Sequence, residues 1–184
     1  MTLLAVWSLA LGLILLVPAA IALACPSAAS AALRAFPRSK CAAAALSAVA
    51  WAGAAREISR IDIDVFDMFL NRFPGEPWVL AAVLCVLCIL FLPDLLPIRA
   101  ASGIAMLFPT SLFAETRLAA SDWRLALVTF AYVCLTAGMF FMFYPWHARR
   151  LMAWIAASPR RVRAAAIPAA AAGALFAVLA FAVF

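Results

Sequence analysis

Leu125–Tyr144 reads LALVTFAYVCLTAGMFFMFY, twenty residues without a charge, and the solvent this stretch requires decides what the rest of the chain can be. Asp122-Trp123-Arg124 precedes it and Pro145-Trp146-His147-Ala148-Arg149-Arg150 follows it. At about 1.5 Å per residue such a helix is as long as a hydrocarbon core is thick, roughly 30 Å. Trp123 and the Tyr144/Trp146 pair fall where amphipathic rings prefer the two headgroup levels, with arginines beyond them in water. The stretch is expected to span a membrane.

Composition extends that expectation to the whole chain. Of 184 residues, 70% are hydrophobic and only 12% charged, with a mean hydropathy of +1.13. A water-soluble domain of this size could not hide so much apolar side chain. The formal net charge of +6 could suggest nucleic acid, but the 14 basic residues form short clusters between apolar runs. A membrane surface accounts for them better. Five cysteines, an odd number, give no disulfide framework.

Working outward, five further apolar runs join the central one. Spans are expected at residues 3–24, 41–55, 78–92, 100–114, 125–144 and 164–184, within a single integral membrane domain covering 1–184. The first could instead be a cleaved leader, since Ala22-Leu23-Ala24 resembles a cleavage site and Cys25 a lipoprotein cysteine. Its length, and the lack of Lys or Arg before it, favour a retained helix. Pro26 to Lys40 reads as a small-residue linker. The run at 41–55 is short enough that Arg56 must snorkel or the bilayer thin.

Residues 57–73 differ. On a helix, Arg60, Asp64, Asp67 and Asn71 share one side and Ile58, Ile61, Val65, Met68, Phe69 and Phe73 the other, the pattern of a helix lying in the interface plane. The fold class is therefore all-α: a polytopic transmembrane bundle of five to six spans plus one interfacial amphipathic helix. Counting Lys and Arg in alternate loops gives nine against five, so the first, third and fifth loops are expected in the cytoplasm and both termini outside it. A faint internal echo, Trp7…Gly12…Pro18 against Tyr132…Gly138…Pro145, has unequal spacings and reads as chance.

Few residues suggest chemistry. Cys85-Val86-Leu87-Cys88 puts two thiols on one helical face, as in a thiol–disulfide redox pair. Both lie mid-span, however, and no second pair occupies an outer loop to relay electrons, so small apolar packing is the plainer role. His147 is the only histidine, which excludes a bis-histidine haem or an H-E-x-x-H site within the chain. No metal site and no cofactor are expected.

Asp94 and Arg99 flank a turn read at Pro93–Arg99 and could pair at the membrane boundary. Thr129, Tyr132 and Thr136 share one face of the central helix; lipid would waste their hydroxyls, so they are expected to face the bundle as helix glue or a polar path. Arg149, Arg150, Arg160, Arg161 and Arg163, with Trp154 as a wedge, form a basic segment suited to anionic lipid headgroups or to a membrane-protein partner. Each arginine near an anionic leaflet contributes on the order of 1 kcal/mol.

The block PDLLPIRAASGIAMLFPTSLF, followed by W-R-L, A-Y, a glycine and an aromatic-Pro ending before basic residues, resembles a group of uncharacterised bacterial multi-pass membrane proteins. The resemblance runs from FPRSK at Phe36 to Arg150 and implies architecture and no functional residue; the expected location is a bacterial inner membrane. Three functional classes stay open. The leading one is a non-enzymatic membrane subunit or scaffold, and the second a small transporter or substrate-binding membrane component. The third is a membrane thiol oxidoreductase using Cys85 and Cys88.

Overall fold

The computed structural model describes residues 2–60, 76–92, 95–117 and 121–183, and among them all regular structure is helical. The helices are α1 (Leu3–Ala24), α2 (Pro26–Ala35), α3 (Lys40–Ile58), α4 (Glu76–Phe91), α5 (Leu96–Thr116), α6 (Arg124–Phe143), α7 (Pro145–Ile155) and α8 (Pro159–Ala182), with a single 3-10 turn at Phe36–Arg38. Four of them, α1, α5, α6 and α8, are long and apolar enough to cross a membrane.

Boundaries shift from those read in the sequence where local signals override the apolar run. The second run lengthens to 19 residues, Lys40–Ile58: Ser39 sets its start by accepting from the Ala42 N–H at 3.2 Å, and three residues are added at its far end. Glu57 and Ile58, assigned above to an interfacial helix, are the last turn of α3, and Ser59 and Arg60 form the turn that ends it; residues 61–73 of that expected helix lie outside the described residues. The Pro93–Arg99 turn is shorter than expected. Leu95 takes the left-handed conformation (φ 59°) and α5 starts at once, with Pro97 in its first turn. Arg99 is thus a helical residue, and Asp94 lies outside the described residues. At the last run, Arg160, Arg161 and Arg163 belong to the first turns of α8. The expected linker after α1 is a helix too, started by Pro26.

What the helices bury inverts the habit of water-soluble proteins. Ala5, Ala55 and Ala131 are fully buried, whereas Ile14, Leu90, Phe91, Phe143 and Phe181 stand at least two-thirds exposed. Small residues inside let backbones approach, and large apolar side chains outside match a hydrocarbon solvent. The closest approach is between α1 and α8, which run antiparallel. A Cβ on Gly12 would sit 3.0 Å from Ala177 N and 3.1 Å from Gly173 O, and one on Gly173 would sit 2.9 Å from Leu16 N. Beside them the buried Ser8 hydroxyl donates to Phe176 O at 2.7 Å.

A second antiparallel pair, α5 and α6, closes on Gly138, where a Cβ would lie 2.9 Å from both Ser102 O and Met106 Cγ. The two pairs join through Leu4, Leu11, Leu112, Leu127, Phe176 and Leu179, and Phe130 meets Phe176 edge to face at 5.0 Å. Helix α3 lies parallel to α5, with Ala50 beside Gly103 and Gly53 beside Leu107. Helix α4 leans chiefly on α3.

One arrangement occurs twice. A long helix ends at a residue of near-identical conformation, Cys25 (φ −127°, ψ 70°) or Tyr144 (φ −122°, ψ 61°), then an amphipathic helix begins with proline and a third helix follows. The units are α1–α2–α3 and α6–α7–α8. The faint echo in the sequence had matched Pro18 with Pro145; the structural counterpart of Pro145 is Pro26.

Candidate functional site

Three places could carry function: the end of the bundle where α2 and α7 lie, the outer face of α6, and the space between α4 and α5. The first is strongly basic. The C-termini of α1, α4 and α6 and the N-termini of α3, α5 and α8 meet there, together with Arg34, Arg38, Lys40, Arg99, Arg149, Arg150, Arg160, Arg161 and Arg163. No acidic residue accompanies them among the described residues. At the opposite end Arg56, Arg60, Arg117 and Arg124 mix with Glu57, Glu115 and Asp122.

Helix α7 positions its part of the basic cluster by amphipathicity. Pro145 and Ala148 are buried, while Arg149, Arg150 and Trp154 are exposed, as are Arg160, Arg161 and Arg163 on the start of α8. Carbonyls at the end of α7 are only partly satisfied by the backbone, Trp154 O accepting from the Ala157 N–H at 3.4 Å, and two arginines add to them. Arg34 of α2 donates to Ala156 O at 2.6 Å, and Arg161 donates to Trp154 O at 3.3 Å while stacking 4.6 Å from the Trp154 ring centre. Arg161 is therefore partly occupied, whereas Arg34, which the sequence did not single out, ties the two amphipathic helices together. Tyr144, Trp146 and His147 pack ring on ring within 5.3–5.9 Å beside α7, an aromatic band at the basic end.

The α6 stripe departs from expectation. Thr129, Tyr132 and Thr136 are exposed and line a shallow groove on the outer face rather than the bundle interior. The reasoning that lipid would waste their hydroxyls overlooked a partner on the same helix and a ring contact with the adjacent one. Thr136 donates to Tyr132 O at 2.8 Å, within its own helix, and the Tyr132 ring packs 4.9 Å from Phe113. The structure does not bring Arg99 to this stripe.

Arg99 instead lines a partly enclosed recess of about 320 Å³, left where α4 rests on α3 and stands away from α5. Its walls are almost wholly apolar, with Trp51 from α3, Cys88 from α4 and Met106 and Leu107 from α5. Two polar groups break them. Ser47 is 2% exposed, and both its Oγ and the Arg99 Nε are buried without a hydrogen-bond partner. Cys85 and Cys88 are both free thiols, and of the two only Cys88 reaches the recess.

The opposite end has a satisfied polar cluster. The Ser111 hydroxyl donates to Glu57 Oε1 at 2.8 Å, and Arg56 and Arg60 stand 3.9 and 4.0 Å from the same oxygen. This cluster pins α3 to α5 two residues beyond Pro109. The chain matches no protein-family model, no curated protein and no solved structure.

Proposed function

We propose that this chain is a six-span protein of the bacterial inner membrane, a single domain that acts as a non-enzymatic membrane subunit or scaffold. Helices α3 and α4 join the four longer helices in crossing. At 19 and 16 residues they reach about 28 and 24 Å, sufficient with Lys40 and Arg56 of α3 snorkelling and slight bilayer thinning at α4. The basic end faces the cytoplasm and both termini lie outside it.

The observation that carries this reading is the charge division between the two ends, nine cations without a described acid against a balanced mixture. Lys and Arg in short loops resist translocation, so the richer end stays cytoplasmic. There the exposed arginines of α7 and α8 meet anionic headgroups, Trp154 sinks beside them, and the same face is open to a membrane-protein partner; nucleic acid has no part. A second reading, a substrate-binding membrane component, is favoured by the recess at Arg99. The thiol oxidoreductase rests on Cys85 and Cys88 alone, both free thiols on α4.

A compartment-dependent reporter fused to the C-terminus tests the orientation. It should report the outer compartment, and a cytoplasmic signal overturns the arrangement. Purification in mild detergent tests the subunit reading through a membrane protein co-purifying in fixed ratio, lost when Arg149 and Arg150 become Gln. Recovery of the chain alone, active on a substrate, overturns it.

A further inference from the structure

A half-buried arginine lining an otherwise apolar recess is its least expected feature. A guanidinium stays charged, and a charge in apolar surroundings is costly unless something neutralises it. Among the described residues Arg99 makes no ion pair, and its Nε is buried without a partner. The register Ala50–Gly103 and Gly53–Leu107, stepped back one turn, places Ser47 level with Arg99 and Ala100. Two unfulfilled polar groups therefore stand together at one end of an otherwise apolar space.

We propose that the recess between α4 and α5 binds an amphiphile with one hydrocarbon chain and one anionic group, the anion held by Arg99 and Ser47 and the chain lying against Trp51, Met106 and Leu107. The chemistry follows from the walls. A guanidinium fork matches the oxygens of a carboxylate or phosphate, and a serine hydroxyl can donate a further bond. The chain follows from the remaining lining, which is apolar. Size limits it to one chain: about 320 Å³ is roughly twice the ~150 Å³ of an apolar cavity that takes up benzene and lies at the lower end of small-molecule sites.

Depth agrees as well. Arg99 is the fourth residue of α5, close to the basic end, while Met106 and Leu107 lie about 10–12 Å deeper along the helix. The ligand is thereby oriented like a lipid of the leaflet at that end, and the side left open between α4 and α6 allows it to arrive from the bilayer.

This inference rests on the membrane reading above, and the experiment separates the two. The full chain is reconstituted into nanodiscs of zwitterionic lipid, and tryptophan quenching is followed with terminally brominated dodecanoate, the corresponding dodecyl phosphate, and neutral brominated dodecanol. Failure to enter the nanodiscs sinks the membrane reading. Given incorporation, either anion should quench saturably, with the saturable part absent from Trp51→Phe, and whichever anion is tighter names the headgroup.

Arg99→Gln should weaken that binding at least about tenfold, the factor corresponding to one charge-assisted hydrogen bond, with Arg99→Lys in between. Gly103→Leu should abolish it by filling the recess while keeping the charge. Equal quenching by the alcohol, or unchanged affinity in Arg99→Gln or Gly103→Leu protein of normal helicity and elution volume, overturns the proposal.

Discussion

The α1–α8 seam and the α4–α5 gap are built from the same kinds of residue and end up opposite in character. Both present glycine and alanine toward a neighbouring helix. At Gly12 and Gly173 the neighbour comes to the glycine, so closely that an added Cβ would lie 2.8–3.1 Å from backbone or side-chain atoms. At Gly103 it does not: a Cβ there would meet only the Ala50 Cβ, at 3.8 Å. A small residue in a lipid-facing helix permits close approach without enforcing it, and the difference lies in what flanks it. Beside the seam Ser8 and Phe176 lock the register with a buried hydrogen bond; beside the gap Arg99 Nε and Ser47 Oγ have no partner among the described residues.

The largest effect should come from closing the space the seam does not have. Gly173→Ala forces its Cβ against Leu16 N and Gly12 O, both backbone atoms that yield only if the helices separate. A cost of about 1–3 kcal/mol is expected, in line with overpacked cores, read as a lower unfolding midpoint in bicelles titrated with sodium dodecyl sulfate. A midpoint within error of the parent would show that α1 and α8 are not sealed as described.

Next in size is the lock itself. Ser8→Ala removes the bond to Phe176 O while preserving shape. Because an unfolded but membrane-embedded chain also finds partners, interhelical hydrogen bonds average only about 0.6 kcal/mol, and a loss of that order is expected in the same titration. A loss above about 2 kcal/mol would mean that Ser8 holds more than one contact and that the seam depends on polarity rather than on its glycines.

Much of this contrast could not be read in the sequence, for a physical reason. Apolar length is a local property, and the expected first span, 3–24, matches α1 to the residue. Helix starts are local as well: Pro26 at the first helical position was a usable signal for α2, hidden by an Ala/Ser composition with few large apolar residues. Which face meets which helix is not local. The pairing of Arg34 with Ala156, 122 positions apart, and the levelling of Ser47 with Arg99 depend on a register that no single helix encodes. The Thr129/Tyr132/Thr136 stripe shows the complementary error. A rule that sends hydroxyls inward assumes they lack a partner on their own helix, and Thr136 has one in Tyr132 O.

The smallest effect carries the opposite sign, and it ties the comparison to the recess. Glycine within a helix is worth up to about 1 kcal/mol less than alanine, because it loses more backbone freedom and packs nothing. At Gly173 that gain is overwhelmed by collision. At Gly103 the new methyl group finds ordinary van der Waals contact with Ala50 on one side and vacant space on the other. Gly103→Ala should therefore leave stability unchanged or raise it by up to about 1 kcal/mol, while taking volume from the place where an anionic chain would lie. A stable Gly103→Ala protein with weaker saturable quenching would mark the gap as space kept for a ligand, since packing alone would favour the alanine. A destabilised one would mean that α4 and α5 already touch there, and the distinction between seam and gap would collapse.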